Sequence, residues 1–112
     1  MEKTVAANLN SIGLVLFKMR SLDSALDMFM TSLKIRQNLL GNTHKDVATI
    51  LYNIATVQLS QGDEDEALRT FHETLKIERL ALSNNDQGDI IITLRRIGQI
   101  HKSRGNLNDA LV

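Results

Sequence analysis

The chain has no cysteine, no proline and no tryptophan, and its 112 residues include only one tyrosine and three phenylalanines. Without cysteine there is no disulfide framework, no thiolate nucleophile and no thiolate metal site, which agrees with a reducing compartment. Without proline nothing interrupts a helix from within, and so few aromatic residues leave little material for β-strands. Thirteen basic residues balance thirteen acidic ones, so no global field draws the chain to nucleic acid or to an anionic membrane. No apolar run approaches the roughly 20 residues a membrane-spanning helix needs. The opening Met1-Glu2-Lys3-Thr4 lacks the apolar core of a signal peptide. The expectation is an all-α, cytoplasmic chain.

What is present is repetition. Shifted by 42 residues, Val5-Ala6 falls on Val47-Ala48, Leu9 on Leu51, Ala25-Leu26 on Ala67-Leu68, and the stretch from Ser32 to Arg36 on Thr74 to Glu78. Shifted by 43, Leu51 falls on Leu94, Ile54 on Ile97, Gly62 on Gly105 and Ala67-Leu68 on Ala110-Leu111. One array therefore fills 1–112, with repeat 1 at 5–46, repeat 2 at 47–89 and a shortened repeat 3 at 90–112. The pattern reads as part of a longer array.

Each repeat divides into two helices. Ser21, Asp63 and Asn106 hold equivalent places, and as N-cap residues they are expected to open the second helix of each copy. Asp63 with Glu66 makes an acidic capping box, and Gly62 and Gly105 just before can take the left-handed turn that ends a helix. Arg20 stands at that place in repeat 1, so its turn is expected to be built differently. Thr43 with Asp46, and Asp86 with Asp89, are expected to open the first helices of repeats 2 and 3. Apolar residues recur at three and four: Leu9, Ile12, Leu16 and Val47, Leu51, Ile54 on first helices, Leu26, Phe29, Leu33 and Leu68, Phe71, Leu75 on second ones. No helix pair buries such a stripe alone, and stacking copy on copy does it, which makes a solenoid. At the far end Val57, Ile97 and Ile100 are expected to stay partly exposed.

The repeated Leu-x-x-Ile-Gly/Ala motif (Leu9 to Gly13, Leu51 to Ala55, Leu94 to Gly98), the Ala-Leu pair and the aromatic four residues past the alanine (Phe29, Phe71) resemble the tetratricopeptide repeat. The 42-residue period with Leu40-Gly41-Asn42-Thr43-His44-Lys45-Asp46-Val47-Ala48 is similar to the kinesin light chain subclass. The resemblance implies a right-handed α-α superhelix of antiparallel helix pairs, about two and a half repeats long. Gly13, Ala55 and Gly98 would sit where the two helices of a copy approach, facing Ala25, Ala67 and Ala110. It also implies that His44 bonds the backbone of its own turn.

Function in such a solenoid belongs to its concave face. The resemblance puts there Ala7, Asn10, Leu14 and Phe17 from repeat 1, Thr49, Tyr52, Thr56 and Leu59 from repeat 2, and Ile92, Arg95, Gln99 and Lys102 from repeat 3, with Lys18 at the rim. Asn10 could pin a ligand backbone, Tyr52 could give flat contact area with a polar tip, and Arg95 could fork onto a carboxylate. That gradient fits a protein segment carrying an apolar anchor and an acidic residue. The alternative is a structural spacer, or a unit that self-associates through the exposed C-terminal repeat into a homo-oligomer.

Chemistry finds no foothold. His44, His72 and His101 share neither a repeat-equivalent place nor a metal-ligand spacing, and no nucleophile elbow or phosphate loop occurs, so neither catalysis nor a cofactor nor a metal is expected. The basic residues Arg95, Arg96, Lys102 and Arg104 lack neighbouring aromatics for base stacking and read as a solvated helix face.

Overall fold

The structure, a computed structural model, describes residues 2–81 and 87–111, with the backbone alone from 106 onward. Five helices follow one another: α1 (Glu2–Lys18), α2 (Leu22–Leu40), α3 (Lys45–Ser60), α4 (Glu64–Ala81) and α5 (Gln87–Leu111). Consecutive helices pack together, and α1 also touches α3, so the described chain is a row of helix pairs measuring 55 × 35 × 18 Å. First helices α1, α3 and α5 form one layer and second helices α2 and α4 the other. The all-α solenoid expected from the repeats is what forms.

The middle helix α3 shows why stacking is needed. Val47, Ala48, Ile50, Leu51, Ile54, Ala55 and Val57 are all buried, more than one stripe of it, because α2 covers one side and α4 another. The side toward α2 packs Val47, Ile50, Ile54 and Val57 against Ala25, Phe29 and Leu33. Toward α4 and α5, Ala55 joins Ala67, Leu68, Phe71, Leu75, Ile97 and Ile100. Full burial of an aliphatic side chain contributes about 1.5–3 kcal/mol, so the buried residues of α3 join the two helix pairs on either side of it into one core.

Within the pairs the small residues act as expected where a partner helix exists. A methyl on Gly13 would lie 2.6, 2.8 and 2.9 Å from three ring carbons of Phe29. Ala25, Ala55 and Ala67 are fully buried. Gly98 is different, with nothing within 4 Å of a would-be methyl, because no second helix packs on α5 there. Ala110 lies among the residues whose side chains are not described.

The turns correct the expectations at Arg20, Thr43 and Gly105-Asn106. Arg20 does not build its turn differently from Gly62. It adopts the left-handed conformation itself, φ 66°, against 85° for Gly62. In repeat 1 the amides of Arg20 and Ser21 donate to the carbonyls of Phe17 and Leu16; in repeat 2 those of Gly62 and Asp63 donate to Leu59 and Gln58. Both are the same helix-ending motif, and the docking of α2 on α1 holds a non-glycine residue in a conformation that costs it about 1–2 kcal/mol. Asp63 accepts from the Glu66 amide at 3.4 Å, one half of the capping box; the Asp63 amide donates to the Gln58 carbonyl instead, and the Glu66 carboxylate pairs with Arg69. Ser21 makes no such side-chain bond.

The N-cap of α3 is His44, not Thr43: its Nδ1 accepts from the Asp46 amide at 3.0 Å, so the histidine does bond its own turn. Asp86 lies outside the described residues. The break expected at Gly105-Asn106 does not form, since α5 runs on as helix to Leu111. Among the described glycines only Gly41 and Gly62 take a positive φ, so Gly105 keeps the backbone of α5 instead of making the left-handed turn that ends a helix. Val57, Ile97 and Ile100 are buried rather than exposed, Val57 in the core shared with α2 and Ile97 and Ile100 in the core shared with α4, and among the described side chains the exposed large apolar residues of α5 are Ile91, Ile92 and Leu94.

Two comparisons test this packing. Gly13→Ala is expected to destabilise the chain by about 1–3 kcal/mol through overpacking on Phe29, while Gly98→Ala is neutral or stabilising by up to about 1 kcal/mol; urea unfolding of both checks it. Arg20→Gly is expected to raise stability by about 0.5–1 kcal/mol and Gly62→Arg to lower it by a similar amount, read as opposite shifts in Tm.

Candidate functional site

The inner layer of first helices carries three clefts in succession. Between α1 and α3 lies one of ≈ 270 Å³ walled by Leu14, Phe17, Tyr52, Asn53 and Thr56, with Lys18 and Arg96 at its edges and the Phe29 ring from α2 reaching through to line it. Next to it, where α3, α4 and α5 meet, is a cleft of ≈ 180 Å³ walled by Thr49, Tyr52, Glu78, Asp89 and Ile92. A third, of ≈ 200 Å³, is formed by Leu59, Glu64, Arg96, Gln99, Ile100 and Ser103. Tyr52 stands between the first two, and its place is determined on both sides. Its ring meets Phe71 edge-on at 5.5 Å with an interplanar angle of 66°, and its hydroxyl accepts from Arg96 Nε at 3.0 Å.

The residues expected to face a ligand are distributed unevenly. Leu14, Phe17, Tyr52 and Thr56 come together in the first cleft, and Leu59 with Gln99 in the third. Asn10 bridges the helices, its side-chain oxygen accepting from Asn53 Nδ2 at 2.8 Å. Thr56 donates its hydroxyl to the Tyr52 carbonyl one turn back, at 2.9 Å. Thr49 and Ile92 wall the second cleft. Ala7, Arg95 and Lys102 are exposed and line none of the three.

Asn53 and Arg96 are the residues that reasoning from equivalent positions missed. They follow Tyr52 and Arg95 in the chain, and a turn of 100° per residue leaves two neighbours flanking one concave face. Glu78 and Asp89 were missed as well. Their signal was a charge reversal, since Glu78 stands where repeat 1 has Arg36 in an otherwise matched stretch.

The basic residues of α5 are partly engaged inside the chain. Arg104 donates through Nε to Glu64 at 3.0 Å and pairs through Nη2 with Asp65, whose carboxyl it holds below the usual range by that hydrogen bond and its charge. Arg96 is tied to Tyr52, and among the described residues neither Arg96 nor Lys18 pairs with a carboxylate.

Glu78 is the electrostatic anomaly of the site. It is 5% exposed, and neither its Oε1 nor the buried Thr93 Oγ1 beside it closes a hydrogen bond of ordinary geometry. Burial pushes its carboxyl above the usual glutamate range; the nearby Thr93 hydroxyl opposes this and the Asp89 carboxylate adds to it.

These features define a class of protein: a helical repeat scaffold offering a clefted inner face, with no group of three or more His, Asp or Glu side chains placed to hold a metal among the described residues. The family model of the tetratricopeptide repeat matches residues 4–79 and again 46–112, and the chain belongs to that family. Comparison with curated proteins returns no match. Tetratricopeptide repeats generally mediate protein–protein interaction and are generally not enzymes. No described helix is long and apolar enough to cross a membrane.

The Glu78 shift carries a stability prediction. Below the unfolded-state value the group is protonated in both states and contributes nothing. As pH rises from there toward the higher folded value, the unfolded chain releases the proton first, so stability falls. The stability difference between Glu78→Gln and the parent is therefore expected to grow in the variant's favour from about pH 4 upward and then level off, measured by urea unfolding at a series of pH values.

Proposed function

We propose that the inner face binds a peptide segment of a partner protein, seating an apolar anchor in the cleft between α1 and α3 and an acidic residue beside it. The observation that carries this reading is the first cleft itself. Its walls are apolar, from Leu14, Phe17 and the rings of Tyr52 and Phe29, and its edges carry Lys18 and Arg96, neither paired with a carboxylate among the described residues. Buried apolar contact supplies affinity and the two cations select the neighbouring charge. Asn10, Leu59, Arg95, Gln99 and Lys102 extend the contact surface to either side. The protein works in this reading as a cytoplasmic adaptor without chemistry of its own, and the kinesin light chain-like period of its repeats is the finer classification we favour.

A second reading, self-association, is favoured by a specific pattern at the ends. On α1 Val5, Ile12 and Val15 are exposed, while their counterparts Val47, Ile54 and Val57 are buried against α2. On α5 Ile91 and Leu94 are exposed, while Ala48 and Leu51 are buried. Both open faces want a helix of the α2 or α4 type, so flush stacking of α5 on another copy's α1 would bring together two first helices. Exchange of a second helix between copies would satisfy both, and a concentration-dependent dimer in sedimentation would mark it.

The peptide reading is tested by displaying random peptides against the chain, with Leu14→Glu, Arg96→Glu and Arg95→Glu as counter-screens. Enriched peptides are expected to pair an apolar anchor with an acid, to lose at least about tenfold in affinity on Leu14→Glu or Arg96→Glu, and to lose less on Arg95→Glu. No enrichment on the folded chain, or enrichment indifferent to Leu14→Glu, would overturn it.

A further inference from the structure

Arg36 and Glu78 occupy the same place in successive repeats, each closing the matched stretch that runs from Ser32 and from Thr74. In repeat 1 the Arg36 guanidinium crosses from α2 to the start of α3, where its Nη1 donates to the Asp46 carbonyl at 2.9 Å. In repeat 2 the register is kept and the charge is reversed. Asp89 holds the place of Asp46 in the first turn of α5, and the side chain that comes to it from α4 is a carboxylic acid. Where repeat 1 is filled by a base, repeat 2 has the ≈ 180 Å³ cleft walled by Thr49, Tyr52, Glu78, Asp89 and Ile92.

No base of the described chain neutralises that cleft. Glu78 is 5% exposed with Oε1 unpartnered, and no ion pair joins Glu78 or Asp89 to a base among the described residues. Arg79, adjacent in sequence and about 100° further round α4, lines a different cleft with His72 and Lys76. Arg96 is tied to the Tyr52 hydroxyl and lines the two neighbouring clefts instead. A buried carboxyl without a partner costs stability, and a cation brought to it from outside would recover that cost. No third acidic or histidine side chain joins the two carboxyl groups to hold a metal ion among the described residues, so a hard ion would depend on water for most of its ligands.

We propose that this cleft receives the guanidinium of an arginine on a bound polypeptide, supplying from outside the base that Arg36 supplies from inside in the preceding repeat. The planar fork has donors enough for both carboxyl groups, and the Tyr52 ring beside them gives it a face to stack on. The positive end of α5 opposes any cation there, as the positive end of α3 opposes Arg36. In repeat 1 the hydrogen bond to the Asp46 carbonyl holds Arg36 there despite that opposition. Thr49 and Ile92 place the cleft on the same inner layer as the apolar one, so the inference rests on the peptide reading for the source of the arginine and adds a second specificity element to it.

The test is an amide NMR titration of the whole chain with Nα-acetyl-arginine amide, against the neutral isostere Nα-acetyl-citrulline amide, the lysine equivalent, and magnesium chloride at matched ionic strength. The arginine derivative is expected to give saturable shifts at Thr49, Asp89 and Ile92, the lysine derivative to bind more weakly and the citrulline derivative to give none. Glu78→Gln or Asp89→Asn is expected to weaken binding about tenfold, and Glu78→Arg, which installs the base of repeat 1, to abolish it. The proposal is overturned by citrulline matching arginine, by lysine or magnesium saturating the same amides at lower concentration, or by both carboxyl variants binding as the parent does. Since no peptide is involved, saturation by arginine with no peptide enriched would condemn the groove reading alone, and the converse would condemn only this site.

Discussion

The fold depends on one contact, the flat ring of a second-helix phenylalanine laid against a first-helix residue with almost no side chain. Phe29 lies so close over Gly13 that even a methyl would collide with it. In the next pair Phe71 is fully buried beside Ala55 and Ala67. This contact sets how near the two helices of a pair approach, and therefore where the inner layer falls. It also has a functional consequence, because the Phe29 ring passes between the helices and forms part of the wall of the cleft between α1 and α3. Packing and candidate binding surface are here the same atoms.

The repeats agree in this contact and differ in what surrounds it. The Asn53 amide bonds Asn10 across the inner layer, whereas at the next junction the tie is Arg96 to the Tyr52 hydroxyl. Ser32 fastens α2 to α1 by donating to the Ala6 carbonyl at 2.7 Å, while its counterpart Thr74 bonds its own helix at Thr70. Arg36 gives way to Glu78. A solenoid tolerates such changes because each repeat meets only its neighbours, so a change is absorbed at one junction. The inner face consequently reads differently from cleft to cleft: apolar with basic edges, then acidic, then mixed.

Helix pairs, period and the stacked core were legible in the sequence because apolar spacing and small residues act locally and recur. His44 as a turn-bonding residue was legible only through the family resemblance. Arg20 was misjudged because propensity speaks for the isolated turn, and the docking of α2 outweighs it. The turn at Gly105-Asn106 was misjudged because a glycine permits a left-handed turn without requiring one, and Gly105 keeps the helical backbone of α5. Arg96 and Asn53 were hidden by aligning single positions, when a concave face takes in a pair of adjacent residues. Glu78 was visible only as a letter that failed to match. Its burial, its unpartnered Oε1 and the nearness of the Asp89 carboxylate are products of the α4 and α5 contact, which no local pattern contains.

The central claim is that the inner layer of α1, α3 and α5 is where a partner segment binds. The most direct measurement is to map backbone amide shifts of the chain on saturation with a displayed peptide of high affinity. Changes are expected to concentrate around Leu14, Phe17, Tyr52, Asn53, Thr56 and Arg96. Changes confined to the outer surfaces of α2 and α4, or to the open stripe of Val5, Ile12 and Val15 on α1, would contradict it.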